Sequence, residues 1–150
     1  MEKTIYKKSA PKASNEKPGM RFQARDYEIL KAIYESDGVL AKRQLQQLFW
    51  SGMTPRAMEK RLAKLYYEGY LAWPSKEHWR SRPIPEPICW LDWKGILVVA
   101  GKRGVVIEPP DGINENKLRK LEKVLRDQGI RWTREPRWIQ LEHDLAATDF

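Results

Sequence analysis

Apolar side chains recur at helical spacing over residues 25–36, where Ile29, Leu30, Ile33 and Tyr34 share one side and Asp37-Gly38 allows a left-handed end. A first helix is expected there. The pattern repeats over residues 41–49, with Leu45, Leu48 and Phe49 inward and Lys42, Arg43, Gln46 and Gln47 outward. After Ser51-Gly52-Met53, Thr54 offers a capping hydroxyl and Pro55 suits a first helical position, so a third helix starts at this point. Met58, Leu62, Leu65 and Tyr66 form its inner side, Arg56, Glu59, Lys60 and Lys64 its outer side, and Gly69 its end. Two short helices joined by a tight glycine-containing turn, the second basic on its outer side, make a helix-turn-helix pattern.

Residues 70–73 and 88–91 are rich in aromatic and branched side chains and read as two strands. Between them Pro74, Pro83, Pro85 and Pro87 forbid a central strand, and an extended loop with a basic tip is expected. Three helices followed by strand, loop and strand is the winged-helix order. Asp92 caps a fourth helix to about residue 100. A connector with Pro109 and Pro110 follows over 101–112, and Asn114 caps a fifth helix over 115–128 that is ended by Gly129. A last helix runs from Arg137 toward the end of the chain. The expected fold is thus mainly α with a small β-hairpin, a winged helix-turn-helix followed by C-terminal helices. Its parts are a basic arm (1–21), the winged domain (22–100), the connector (101–112) and a C-terminal helical region (113–150).

The last helix carries one stripe at Trp138, Leu141 and Leu145 and another at Ile139, His143, Ala146 and Phe150. A helix apolar on two sides wants two partners. One is the fifth helix, with Leu118, Leu121, Val124 and Leu125 on one face, and the other is a second subunit or a region missing from this chain. Leu118, Leu121, Leu125, Trp138, Leu141 and Leu145 are therefore the expected dimer or docking surface, with burial inside the chain as the alternative.

Lys and Arg number 28 against 20 Asp and Glu, a formal charge of +8, which favours polyanionic partners through counterion release. The arm alone holds Lys3, Lys7, Lys8, Lys12, Lys17 and Arg21. The single cysteine, Cys89, excludes an intramolecular disulfide and a multi-cysteine zinc site, suits a reducing compartment, and reads as a small buried hydrophobe. The longest apolar run, residues 96–100, is far short of the roughly 20 residues a membrane span needs, and the first residues hold no signal-peptide core. A cytoplasmic, soluble chain without membrane contact is expected.

The outer side of the third helix is the sharpest candidate for chemistry. Arg and Lys donate to guanine edges in a major groove and Glu accepts from cytosine, which assigns Arg56 and Lys60 to bases, Lys64 to phosphate, and Thr54 and Glu59 to the same surface. Arg61 borders the buried stripe. Lys42 and Arg43 of the second helix and Lys76, His78, Arg80 and Arg82 of the wing complete the expected DNA-binding set. The competing explanation is an ordinary solvated helix face. Trp79 at the wing tip is either a contact residue or folds back onto Trp73 or Trp90. His143-Asp144, with Glu142 and Asp149, invites a metal or hydrolase function, yet the only other histidine is His78. No phosphate-cradling glycine loop and no nucleophile-base pair accompany them, so neither catalysis, metal nor cofactor is expected.

The runs RDYEILKAIYESDGVLAKRQLQQLFW, TPRAMEKRLAKLYYEGYL, ICWLDWKGILVVA and WIQLEHDLAATDF resemble the replication-relaxation family of bacterial plasmid and mobile-element proteins. The most telling residues are Leu91-Asp92 with Lys94-Gly95, and Leu141-Glu142-His143-Asp144-Leu145. The resemblance implies a winged-helix DNA-binding module acting in replication, relaxation or transcriptional control, with residues 54–68 as recognition helix and His143 as a family-like position of no assigned role. Two departures stand out. Ala41 sits where Ser or Thr would cap the second helix, and relatives continue beyond Phe150, so a fragment or minimal version is expected. Sequence-selective binding of double-stranded DNA as a homodimer is the first functional expectation. An interaction module that recruits replication or transfer proteins through Trp79 is the alternative, and a relaxing nuclease the least supported.

Overall fold

In the computed structural model the described residues are 20–148. The expected basic arm lies outside them apart from Met20 and Arg21, as do Asp149 and Phe150. The chain is mainly helical with one small antiparallel sheet. Helix α1 (Ala24–Glu35) buries Ile29, Leu30 and Ile33 and ends where Asp37 and Gly38 take positive φ. Strand β1 (Val39–Ala41) runs directly into α2 (Lys42–Phe49). Ala41 cannot cap this helix from its side chain. Gln44 compensates by accepting from the Ala41 amide at 2.9 Å, and its own amide donates to the Leu145 carbonyl at 3.0 Å.

The turn after α2 is closed by Gln46, whose Nε2 donates to the carbonyls of Trp50 (2.9 Å) and Met53 (2.7 Å). Gln46 was expected to face outward and Leu48 inward; Leu48 is instead 40% exposed, and Trp50 fills the core at the end of the helix. Helix α3 (Pro55–Tyr67) starts on its proline and buries Met58, Leu62 and Leu65. Strand β2 (Leu71–Ala72), helix α4 (Lys76–Ser81) and strand β3 (Ile88–Leu91) follow. Asp92 caps α5 (Trp93–Lys102) by accepting from the Trp93 amide at 2.7 Å, and Asn114 caps α6 (Glu115–Asp127) by accepting from Lys117 at 2.9 Å. A single 3-10 turn (Trp138–Gln140) leads into α7 (Leu141–Ala147).

Two elements differ from the sequence expectation. β1 makes the sheet three-stranded, in the order β1-β3-β2, with Val39 opposite Trp90 and Leu71 opposite Leu91. It is three residues long and buried throughout, so it carries no alternation to read. The loop between β2 and β3 contains α4. The prolines that exclude a strand flank this helix at 74 and 83 rather than interrupting it, and Ser75 caps it.

β3 lies at the centre of the sheet and is buried at all four positions. Cys89 and Leu91 point into the main core with Ile29, Leu30, Leu62 and Ile96, while Ile88 and Trp90 join Val39 and Ala41 under Leu141 and Leu145 of α7. The dimer or docking assignment is corrected by the same packing. Leu121 and Leu125 belong to the main core, Leu141 and Leu145 cover the back of the sheet, and Leu118 and Trp138 pack half-buried against these clusters. Their apolar stripes already have partners within the chain. Trp132 fastens the C-terminal region further by donating from Nε1 to the Leu91 carbonyl at 3.0 Å.

Among the described residues two carboxylates are buried, Asp26 and Asp144. Asp26 is fully buried, accepts from the Gln23 amide at 2.7 Å, and forms a two-pronged ion pair with Arg61 of α3, whose Nε donates to Oδ1 at 2.8 Å. The hydrogen bond to Asp26 raises the Arg61 pKa further above its ordinary value, so the guanidinium keeps its charge. Arg61→Ala strands a buried carboxylate and is expected to cost about 3 kcal/mol or more, measured as a lower urea midpoint. Adding Asp26→Asn to that variant removes the unpaired charge and should recover part of the loss.

Candidate nucleic-acid interface

Arg56, Lys60 and Lys64 follow one another at intervals of four residues, so they line one face of α3 about 6 Å apart along its axis. All three are exposed, with Glu59 exposed beside them. None of the three cations makes an ion pair among the described residues. Thr54 stands exposed at the N-cap without a side-chain hydrogen bond to the helix among those residues. Arg61, by contrast, is turned inward to Asp26 and leaves this face.

Across a shallow cleft from Lys60 and Lys64 lies Arg25, its guanidinium 4.6 Å from the centre of the Trp50 ring. Arg25 was absent from the expected set. It stands at the start of α1, remote in sequence from the turn, and only the packing of α1 on α2 and its Asp26–Arg61 pair with α3 bring it to the basic face.

The residues expected from the second helix serve the fold. Arg43 makes a two-pronged pair with Glu86, with both nitrogen-oxygen distances 3.0 Å, and so ties α2 to the chain returning into β3. Lys42 lies with Nζ 4.5 Å from the centre of the Trp73 ring, and its amide donates to the Pro87 carbonyl at 3.0 Å.

In α4, the expected wing tip, Ser75 Oγ accepts from the His78 amide and the Ser75 amide donates to His78 Nδ1, both at 3.2 Å. Ser81 Oγ donates to the Glu77 carbonyl at 2.8 Å. Arg80 donates to the Glu77 carboxylate at 2.8 Å and, through that hydrogen bond, holds its pKa below the ordinary range. His78 does not face outward with Lys76, Arg80 and Arg82. Its ring sits 4.8 Å from Trp138, its Nε2 lies 3.7 Å from the Glu135 carboxylate, and Trp138 Nε1 donates to the same carboxylate at 3.0 Å. Lys76, Arg80 and Arg82 are exposed, and Trp79 remains 45% exposed. Trp73 stacks on Tyr66 at 4.0 Å and 2°, and Trp90 meets Trp138 edge-on at 5.7 Å.

At the other candidate centre, Asp144 is buried and held by Arg137, which donates from Nε at 3.1 Å and from Nη2 at 2.6 Å. Glu142 and His143 are exposed on the opposite side of α7, and Asp149 lies outside the described residues. Among the described residues no group of three or more His, Cys, Asp and Glu is gathered in a way that could hold a metal ion. No described helix is long and apolar enough to cross a membrane. No protein-family model, curated protein or solved structure matches the chain.

Cys89 is fully buried in β3, and burial pushes its thiol pKa up to about 12. At pH 8 the thiolate is then on the order of one part in ten thousand. Native protein at pH 8 should leave Cys89 unmodified by a thiol-reactive chromophore over a time in which urea-unfolded protein reacts fully. Rapid modification of the native chain would contradict this burial.

Proposed function

We propose that residues 22–100 form a winged helix-turn-helix that binds double-stranded DNA, with α3 as the recognition helix in the major groove. The observation that carries this is the row Arg56, Lys60 and Lys64, three exposed cations on one face of α3 with no ion-pair partner among the described residues. An ordinary solvated face gains from mixing signs, and Glu59 is the one carboxylate on this part of it. The order helix, strand, helix, helix, strand, tip, strand and the sheet order β1-β3-β2 support the same fold assignment. A helix of this kind fits the groove, and its first turns meet base edges.

In this arrangement Arg56 and Lys60 contact bases. Lys64 contacts phosphate, and Arg25 adds a second backbone contact across the cleft. Lys76 and Arg82 extend the basic surface along the wing, with Arg80 held in its pair with Glu77. The activity is binding without catalysis. The resemblance to the replication-relaxation family suggests service to a plasmid or mobile element, in replication or in transcriptional control.

Anisotropy titrations of labelled duplexes across a salt series test the proposal. Wild-type affinity should fall steeply with salt. Arg56→Ala with Lys60→Ala should weaken binding at least about tenfold, and Lys64→Ala should flatten the salt slope by about one unit while weakening all sequences alike. Absence of duplex binding at low salt, or an unchanged double variant, would overturn it.

A further inference from the structure

The chain has seven tryptophans, and Trp79 is the one classed as exposed. Trp50, Trp90 and Trp132 are buried, Trp73 is stacked on Tyr66, Trp138 packs against Trp90, and Trp93 is half-buried against the main core. The helix that carries Trp79 is nevertheless braced. The Ser75 cap, the Ser81 hydroxyl and the Arg80–Glu77 pair stiffen α4, while His78 packs its inner side against Trp138. Lys76, three residues earlier, shares a face with Trp79, while Arg80, paired with Glu77, and Arg82 at the C-cap follow it on the same exposed tip.

This tip differs in shape from a thin extended ribbon. A helix with its side chains is about 10 Å across, whereas a duplex minor groove is about 6 Å wide. α4 cannot lie in that groove. A tryptophan presented beside the duplex by a stiff, basic platform meets a flat aromatic partner only where a base has left the stack. Aromatic faces take such bases of any identity, and cations beside them hold the backbone.

We propose that Trp79, with Lys76 and Arg82 on the same tip, is a stacking platform for an unpaired base of single-stranded DNA at the point where it leaves a duplex bound by α3. The ligand is therefore a junction between duplex and single strand. This inference rests on the duplex-binding function proposed above. Because α4 is already ordered, little freedom is lost on binding, which favours a contact made by one side chain.

The test compares a blunt duplex with a forked duplex of the same paired sequence carrying unpaired tails. The tail carries 2-aminopurine at its first unpaired position. Wild type should bind the fork about tenfold more tightly than the blunt duplex and quench the 2-aminopurine emission. Trp79→Ala should bring fork affinity down to the blunt value, leave blunt binding unchanged and abolish the quenching. Trp79→Phe, which keeps an aromatic face, should retain most of both. Equal wild-type affinity for fork and blunt duplex overturns the inference while leaving duplex binding standing. A preference that survives Trp79→Ala also overturns it and leaves the ring free for a protein partner. Loss on fork and blunt duplex alike overturns it too, since Trp79 would then touch the paired region or steady the fold. Failure to bind either DNA removes the duplex-binding function and this inference together.

Discussion

β3 has no side that can face water. Its four residues, Ile88, Cys89, Trp90 and Leu91, are all buried, and successive side chains on a strand point to opposite faces. Both faces of the sheet must therefore be covered. Helices α1, α3 and α5 close one side around Cys89 and Leu91, and α7 closes the other around Ile88 and Trp90. Each large side chain buried in this way contributes about 1.5–3 kcal/mol, which makes the strand's burial the main reason for the C-terminal helix to return. The C-terminal region is part of the fold on this account. Gln44 adds a polar tie at the same seam by satisfying both the buried Ala41 amide at the start of α2 and a carbonyl of α7.

The same constraint sets the geometry of the basic surface. β2 and β3 are neighbours in the sheet, so the segment between them must leave and return at one edge, and the Arg43–Glu86 pair fixes its return to α2. Trp138, placed by α7 against Trp90, reaches His78 in α4, so the cover on the back of the sheet also holds the tip. On the other side, the buried Asp26–Arg61 pair locks α1 to α3 while α3 presents its cations outward. α5 sits equally close: a Cβ on Gly95 would come within 2.2 Å of the Tyr70 carbonyl oxygen at the start of β2.

Much of this was legible from local signals. Pro55, Asp92 and Asn114 mark the starts of α3, α5 and α6 because each acts on its own helix terminus, and ICWL stands out as a strand because it is branched, aromatic and bounded by Pro87 and Asp92. β1 was not legible. Three residues stabilised by pairing with a strand some 50 positions away, Val39 against Trp90, leave no periodic trace. The helix at α4 could have been found from Ser75 and the proline-free stretch 76–82, but the density of prolines around it outweighed the cap. At the basic surface, the outward face of α3 follows from its period. The structural duties of Arg43, His78 and Arg61 depend on Glu86, Trp138 and Asp26, which lie 35 to 60 residues from them. Spacing cannot reveal partners at such distances.

Pairing also decides what the excess of positive charge can do. A cation facing a carboxylate at 3 Å presents little net field to an approaching phosphate, and exposed fields are screened within about 8 Å at physiological salt. Arg43, Arg61 and Arg137 are spent in this way, as is Arg134, whose hydrogen bond with Glu115 raises its own pKa and lowers that of the carboxylate. Lys123 and Arg119 pair with Asp127 and Glu115 along α6. Lys120 and Arg126 are exposed on the same helix, but among these carboxylates and Glu122. On α3 the balance is different, with Arg56, Lys60 and Lys64 in register and Glu59 alone between them. Net charge counts all of these cations equally. The field that a polyanion meets comes from those left without partners and set close enough to act together, and in the described residues that condition is met most fully along α3.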